Sequence, residues 1–339
     1  MSTASDPVGS RLSFGAGPIG NLFERVSDDE AARAIDTAWQ HGIRHFDTAP
    51  HYGRGLSERR VGNALRGRRG YRLSTKAGRI LQPDDQIIDD RMRDGFRSPM
   101  PFQVRYDYSG DGILRSHEAS LHRLGLSHVD LLLVHDIGAG THGAEDASYW
   151  AQLSDGGGLR ALERLRDEGT VGGIGIGVNE VEACLRMMQS VRLDAMLIAG
   201  RYTLLDQQAL ERLLPACLDA GTEVLLGGPF NSGILVTGTK GAAAPYYEYA
   251  PAPPEITARV RRIEQVAARH DVPLPAAALQ FPLGHPAVSQ VVAGFRSAAQ
   301  VDQSVAWMQH PIPGDFWAEL KHEGLLRVDA PTPDRKTAA

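Results

Sequence analysis

Eight short apolar runs, spread along the chain and separated by segments of helical periodicity, constrain this sequence more than any other feature. They are LSFGAG (12–17), IRHFDTA (43–49), YRLSTK (71–76), VDLLLVH (129–135), VGGIGIGV (171–178), LDAMLIAG (193–200), TEVLLGG (222–228) and SQVVAG (289–294). Most are continuous rather than alternating, the pattern of strands covered on both faces. Between them lie amphipathic segments such as DDEAARAIDTAWQHG (28–42), GILRSHEASLHRLG (112–125), DQQALERLLPACLDAG and SAAQVDQSVAWMQ. In GLRALERLRDEG (158–169), Leu159, Leu162 and Leu165 recur at helical spacing and Gly169 stands where a C-cap belongs. Eight strands alternating with helices predict a (β/α)8 TIM barrel, with a doubly wound open sheet as the competitor. No linker-like stretch divides the chain, so residues 1–339 are expected to form a single barrel domain with short tails.

A parallel barrel builds its active site at the C-terminal ends of its strands. The long connections 79–109, 136–156 and 236–254 follow strands three, four and seven, which puts them on that face as expected carriers of function. Ionisable groups fall at the same end. Asp47 closes strand two and Tyr52 lies in the turn after it; Lys76 closes strand three, His135 closes strand four, and Asn179 follows strand five. A tyrosine hydroxyl is a poor base because its pKa is about 10, but a nearby ammonium stabilises the phenolate and a carboxylate can hold that ammonium. The quartet therefore suits proton transfer, with Tyr52 as acid or base, Lys76 as its tuner, Asp47 as anchor and His135 orienting a substrate oxygen.

Bulk properties exclude several partners. A formal charge of −5 supplies no basic surface for nucleic acid or anionic lipid. No apolar run reaches the roughly 20 residues of a membrane span, and MSTASDPVGS lacks the features of a signal peptide. Cys184 and Cys217 sit in helical stretches and read as buried thiols, in keeping with a cytoplasmic protein acting on a small molecule. Nothing in the sequence assigns an oligomeric state. His45 and Asp47 form a His-x-Asp pair of the kind metal hydrolases use, but only His135-Asp136 offers further ligands, so no metal is expected. GGIGIG (172–177) mimics a dinucleotide fingerprint within a strand. APYYEYAPAPPE (244–255) is either a lid over a cofactor or a stiff surface loop, and HPIPGDFWAEL (310–320) reads as a docking helix with Phe316 and Trp317 on the core. Asn21, Tyr108 and Trp150 are candidates for the substrate pocket or for rim packing.

FDTAPHYG…SE, STK, VDLLLVHD and IGIGVN, in this order on these strands, resemble the aldo-keto reductase superfamily from about Leu12 to about Met308. The resemblance implies a metal-free hydride transfer between NAD(P) and a carbonyl or alcohol carbon, with Asp47, Tyr52, Lys76 and His135 as the catalytic tetrad. It implies a cofactor laid across the barrel mouth. Gly17, Ile19 and Asp47 would border it, Asn179 would bind the nicotinamide carboxamide, and GGPFNSGIL, with Gly228, Phe230, Asn231, Gly233 and Leu235, would strap the pyrophosphate. GFRSAAQ, with Gly294, Arg296, Ser297 and Gln300, would hold the adenosine end.

The sequence departs from the family pattern at three places. Ala199 stands where a Gln is usual, Gly227 where an aromatic stacks on the nicotinamide, and Gln300 where an Arg grips the 2′-phosphate region. Arg201 or Phe230 would substitute at the first two, and Arg296 and Ser297 at a helix start would serve a phosphate, leaving NAD and NADP both open. HYGRGLSERRVG, LIAGRYTLLDQ and GGPFNSGIL resemble the branch of L-fucose (D-threo-aldose) 1-dehydrogenases, L-galactose dehydrogenases and pyridoxal 4-dehydrogenase. That branch implies oxidation of a hemiacetal to a lactone. Alternatives are a general aldehyde reductase and a cofactor-binding regulatory subunit; the short stretch before the first strand weighs against the latter.

Overall fold

The computed structural model describes residues 8–97, 100–240 and 245–333. The eight expected strands are Leu12–Gly15 (β1), His45–Asp47 (β2), Arg72–Ala77 (β3), Val129–His135 (β4), Val171–Val178 (β5), Ala195–Ala199 (β6), Glu223–Gly227 (β7) and Val288–Gly294 (β8). Each pairs in parallel with the next, and β8 returns to β1 in the register Leu12↔Val291 to Gly15↔Gly294, so the sheet is a closed (β/α)8 barrel and not an open one.

Continuous apolar strands produce two cores. The larger lies between the sheet and the surrounding helices and includes Phe14, Phe46, Ile174, Ile198 and Leu226. A smaller one fills part of the barrel interior with Leu131, Leu133, Ala195, Leu197, Leu225 and Val292. The rest of the interior is polar: Ser13, His45, Asp47, Ser74 and Lys76 are all buried. The glycines of β5 make room for both halves. A Cβ on Gly175 would lie 1.9 Å from the carbonyl oxygen of Ala195, and one on Gly177 would lie 3.2 Å from Lys76 Cε. GGIGIG is therefore a barrel strand whose missing side chains admit its neighbours.

The helices end where their sequences say they should. Ser27 and Glu30 form a reciprocal capping box at the start of helix Asp28–Gln40, and Gly125 takes a left-handed conformation after helix Gly110–Leu124. Phe316 and Trp317, on helix Gly314–His322, are buried against the core, and Cys184 and Cys217 are free buried thiols. No helix among the described residues is long and apolar enough to cross a membrane.

The three long connections carry structure that their composition did not announce. Within 79–109, Arg79–Pro83 pairs antiparallel with Phe102–Tyr106, and Met92–Arg93 pairs with Phe96–Arg97. This hairpin leans over the barrel mouth and is fastened there. Leu22 bridges Phe96, Phe23 N donates to Gly95 O at 2.8 Å, and Arg97 N donates to Asn21 O at 2.9 Å. Residues 136–156 contain helices Ala139–His142 and Asp146–Leu153. Residues 245–255 begin with a small hairpin, Tyr246–Tyr247 against Ala250–Pro251, while Ala244 lies outside the described residues. That hairpin is held by an Arg201–Glu248 ion pair and by Tyr249 N donating to Ser232 Oγ at 2.9 Å.

Gly175→Ala is expected to destabilise the protein by about 3 kcal/mol or more, since backbone rather than a pliable side chain must yield. Denaturant unfolding monitored by circular dichroism checks this; a loss below about 1 kcal/mol would mean the strands can part without cost.

Candidate active site

Asp47, Tyr52, Lys76 and His135 converge at the C-terminal mouth of the barrel. β2 and β3 lie side by side, with Asp47 opposite Ser74. Lys76 Nζ donates to Asp47 Oδ2 at 2.7 Å and to Thr48 O at 2.8 Å, while Ser74 Oγ donates to Asp47 Oδ1 at 2.7 Å. The side chains of the ion pair are only 2 % and 3 % exposed. Burial works against the ammonium, yet Asp47, with Tyr52 adding to it, holds the Lys76 pKa above its ordinary value. Beneath the pair, His45 contacts Ser74 Oγ through Nε2 at 3.2 Å and Gln290 Oε1 through Nδ1 at 2.7 Å. His45 thus faces inward like Asp47, but its ring is engaged by neutral groups. Among the described residues no group of three or more His, Cys, Asp and Glu is placed to hold a metal ion.

Tyr52 is fixed by the turn that follows β2. Its amide donates to Ala49 O at 3.1 Å and its carbonyl accepts from Ser57 N at 3.1 Å. The SE of the sequence motif serves as scaffold. Ser57 Oγ donates to Ala16 O at 2.8 Å, and buried Glu58 joins Thr75 of β3 to Arg123 of helix Gly110–Leu124. Lys76 Nζ lies 4.8 Å from the centre of the Tyr52 ring, and the ring meets that of His135 edge-on at 6.0 Å. The sequence-based expectation that Lys76 lowers the phenol pKa is only half met. Burial raises it, Lys76 opposes, and burial prevails: the hydroxyl is pushed up to about 12. His135 is driven the other way, well below its ordinary value, by burial and by the cations Arg79 and Lys76, so its ring is neutral.

A second set of groups meets the first from the hairpin side. Arg79, the first residue after β3 and Gly78, ion-pairs with Asp136, whose Oδ2 lies 3.4 Å from His135 Nε2. His51 packs on Phe96 of the hairpin at 5.3 Å and on His135 at 6.1 Å. Its pKa is lowered to about 3 by burial, with Arg79 adding to the effect. A cleft of about 470 Å3 opens here, bordered by His51, Arg54, Arg79, Asp94, Gln103 and Tyr106. Neither Arg79 nor Asp94 carries a periodic or motif signal, whereas Arg54 lies within HYGRGLSERRVG; the antiparallel pairing of the hairpin brings Arg79 and Asp94 to it.

The three substrate candidates take structural positions instead. Asn21 is buried and its Oδ1 accepts from Val26 N and Arg60 Nη1, both at 3.0 Å. Tyr108 is fully buried behind the site, its hydroxyl donating to His135 O at 2.8 Å and lying 2.9 Å from His142 Nε2. Trp150 is buried on helix Asp146–Leu153 with Arg186 over its ring. Trp150 and Leu153, one turn apart, are the residues of that helix that enter the core.

The expected cofactor residues divide similarly. Ile19 and Leu235 are completely buried in the outer core, so neither side chain faces the mouth. Arg201 is not a free cation: its Nε donates to Asn179 O at 2.7 Å and its Nη1 pairs with Asp206 and Glu248. At Gly227, where the aromatic is missing, a Cβ would lie 2.9 Å from Leu197 Cδ2 and 3.3 Å from Ala199 Cβ, so a side chain there would have to displace Leu197. Phe230, half-buried, packs on Trp307 at 6.1 Å. Gly228, Asn231, Ser232 and Gly233 all have positive φ, and buried Asn231 Oδ1 has no hydrogen-bond partner. Gly17 borders the Tyr52 ring, where an added Cβ would lie 3.9 Å away. Gly294 closes the register with Gly15. Ser297 caps helix Ala298–Gln309, Gln300 Oε1 accepts from Arg296 N at 2.9 Å, and the Arg296 guanidinium pairs with Glu24.

Comparison with known proteins places the chain in a family. A model of the aldo/keto reductase family matches residues 11–323. The chain is 40 % identical to pyridoxal 4-dehydrogenase of Microbacterium luteolum, covering 93 % of this chain and 94 % of that one. It is also 40 % identical to D-threo-aldose 1-dehydrogenase of a Pseudomonas species, covering 95 % of each. Among solved structures, a glycerol dehydrogenase of Gluconobacter oxydans superposes with a TM-score of 0.71 over 97 % of this chain and 95 % of that one, at 21 % identity.

Two outcomes test the electrostatics. Lys76→Met strands a buried carboxylate and is expected to cost about 3–5 kcal/mol, with the Asp47→Asn/Lys76→Met pair losing less than the single variant. Denaturant melts of the three proteins decide it. His51 is neutral when folded but binds a proton below about pH 6.5 when unfolded, so its share of stability is intact above that pH and is lost as pH falls towards about 3. His51→Gln should therefore weaken the dependence of stability on pH between about pH 7 and about pH 5; an unchanged slope would contradict a neutral buried ring.

Proposed function

The chain belongs to the aldo/keto reductase family, and on that premise we propose that it is an NAD(P)-dependent dehydrogenase oxidising a cyclic hemiacetal to a lactone. The observation that carries the reading is the joint placement of Tyr52, Lys76, Asp47 and His135 at one mouth, with two 40 % identical relatives named for oxidation of pyridoxal and of an aldose. L-Fucose, L-galactose, D-arabinose and pyridoxal are the substrates to which it points.

The residues at the mouth suit a dinucleotide. Positive φ at Gly228, Asn231, Ser232 and Gly233 folds this segment into tight turns after β7, and the orphaned Asn231 Oδ1 offers an acceptor. Asn179, exposed at the end of β5 and braced by Arg201, would hold a carboxamide. When bound, the nicotinamide accepts or returns the hydride.

Tyr52, as phenolate, takes the proton of the anomeric hydroxyl and becomes the phenol as hydride leaves the same carbon for the nicotinamide, and the C–O bond becomes the lactone carbonyl. Lys76 stabilises the phenolate that Tyr52 must be before it accepts this proton, and Asp47 keeps the ammonium beside it. His135, neutral, orients the reacting oxygen by hydrogen bonding. Burial holds the phenol protonated to about pH 12 in the free protein, so oxidation requires Tyr52 to lose its proton first, whereas the phenol as it stands is a proton donor for an aldehyde, which makes carbonyl reduction the second reading.

Nicotinamide absorbance with NAD⁺ and NADP⁺ against the four substrates, and with NADH and NADPH against simple aldehydes, separates the two. Oxidation is expected, and Tyr52→Phe should reduce kcat by about a hundred- to ten-thousand-fold while cofactor still binds. Reduction alone would favour the second reading, and cofactor binding with no turnover in either direction would overturn both.

A further inference from the structure

The cleft beneath the hairpin holds groups that the proton-transfer quartet does not use. Three residues that border it carry a buried polar atom with no hydrogen-bond partner: His51 Nδ1, Arg54 Nε and Arg79 Nε. Arg54 and Arg79 are 9 % and 6 % exposed. An unpaired buried polar atom costs about 1–3 kcal/mol, so three in the walls of one cavity of about 470 Å3 leave hydrogen-bonding capacity that the chain itself does not fill.

Charge narrows what that is. Arg54 Nη2 pairs with Asp94 at 2.8 Å, Arg93 with Asp89 at 2.8 Å, and Arg79 with Asp136. Gln103 Nε2 donates to Asp84 Oδ2 at 2.7 Å. An anion would find no uncompensated cation here. The walls instead set donors beside acceptors, the complement of hydroxyl groups, each of which gives one hydrogen bond and accepts others. His51, neutral, adds a ring nitrogen. The cleft lies one residue from the reacting groups: His51, in its wall, packs on the His135 ring at 6.1 Å, and Arg79 reaches His135 through Asp136.

We propose that this cleft is the hydroxyl-recognition subsite of the enzyme, in which Arg54, Arg79, His51 and Asp94 hold the ring hydroxyls of a neutral aldose while its anomeric carbon faces Tyr52 and His135. The assignment rests on the dehydrogenase reading above and selects an aldose over pyridoxal, whose ring lacks the vicinal alcohols the cleft would pair.

The test deletes hydroxyls from the ligand so that the protein stays native. kcat/KM is measured for L-fucose and for its singly deoxygenated analogues at ring positions remote from the reacting carbon, with pyridoxal alongside. The same series is run with Arg79→Lys and Asp94→Asn. Dissociation constants for the series are read by calorimetry on the Tyr52→Phe protein saturated with oxidised cofactor, where binding is separate from turnover. At least one deletion should cost the native enzyme about tenfold or more, chiefly in KM, and that penalty should shrink in the variant that has lost its partner. Equal penalties in native and variant enzymes, no penalty for any deletion, or pyridoxal preferred over L-fucose would each overturn the subsite. No turnover of any substrate, with deoxygenation penalties still present in the calorimetric constants and diminished by the variants, would uphold the subsite while the dehydrogenase reading fails. Absence of both turnover and aldose binding would overturn both.

Discussion

The buried ion pair between Lys76 and Asp47 sets the terms for the interior of this barrel. Taking two charges out of water costs several kcal/mol each, and their attraction compensates only when geometry is good and the remaining hydrogen bonds are satisfied. The sequence meets that condition through small residues. Ser74 engages the second carboxylate oxygen, Thr48 contributes a carbonyl to the ammonium, and Gly177 leaves the space in which the lysine stem lies. A barrel filled with Leu and Val would be simpler to stabilise. Half of this interior is instead polar, from Gln290 through His45 and Ser74 to the ion pair, and the apolar cluster is pushed to the side of β4, β6, β7 and β8.

Above that axis, chemistry depends on pieces that are not barrel strands. The hairpin Arg79–Tyr106 supplies Phe96 as packing for His51 and Tyr52, and its tip is hydrogen-bonded to the segment after β1. Tyr108, just beyond it, supports the backbone of His135 from behind. Both contacts reduce the freedom of the reacting groups before a ligand arrives, which is the form in which a scaffold contributes most to rate.

Much of this was legible in the sequence, and the rest was hidden for identifiable reasons. Eight doubly covered strands leave continuous apolar runs, so the barrel and its helices could be read from periodicity. Asp47, Lys76 and His135 were visible because each interrupts such a run at a strand's end. The hairpin was not. Phe102, Val104 and Tyr106 alternate with Gln103 and Arg105 over only five residues, within a polar stretch that resembles an irregular loop. Trp150 and Tyr108 stayed open between pocket and rim packing because an aromatic near a barrel rim has the same sequence whether it faces the mouth or the core; only the helix phase and the packing behind β4 separate the two. The balance between burial and the Lys76 charge at Tyr52 is likewise a matter of three-dimensional enclosure, which residue identity does not encode.

Closing the barrel has a consequence for how this chain meets other molecules of its kind. A closed sheet presents no unpaired strand edge, so the exposed edges among the described residues belong to the short hairpins over the mouth. Strand edges invite pairing with another chain and are a common start of aggregation. Here they are brief, and the longer ladder is polar: Pro83 ends one of its strands, and Gln82, Gln103 and Arg105 stand exposed along it. The same residues that roof the mouth thus make its outer rim a poor template for β-sheet growth.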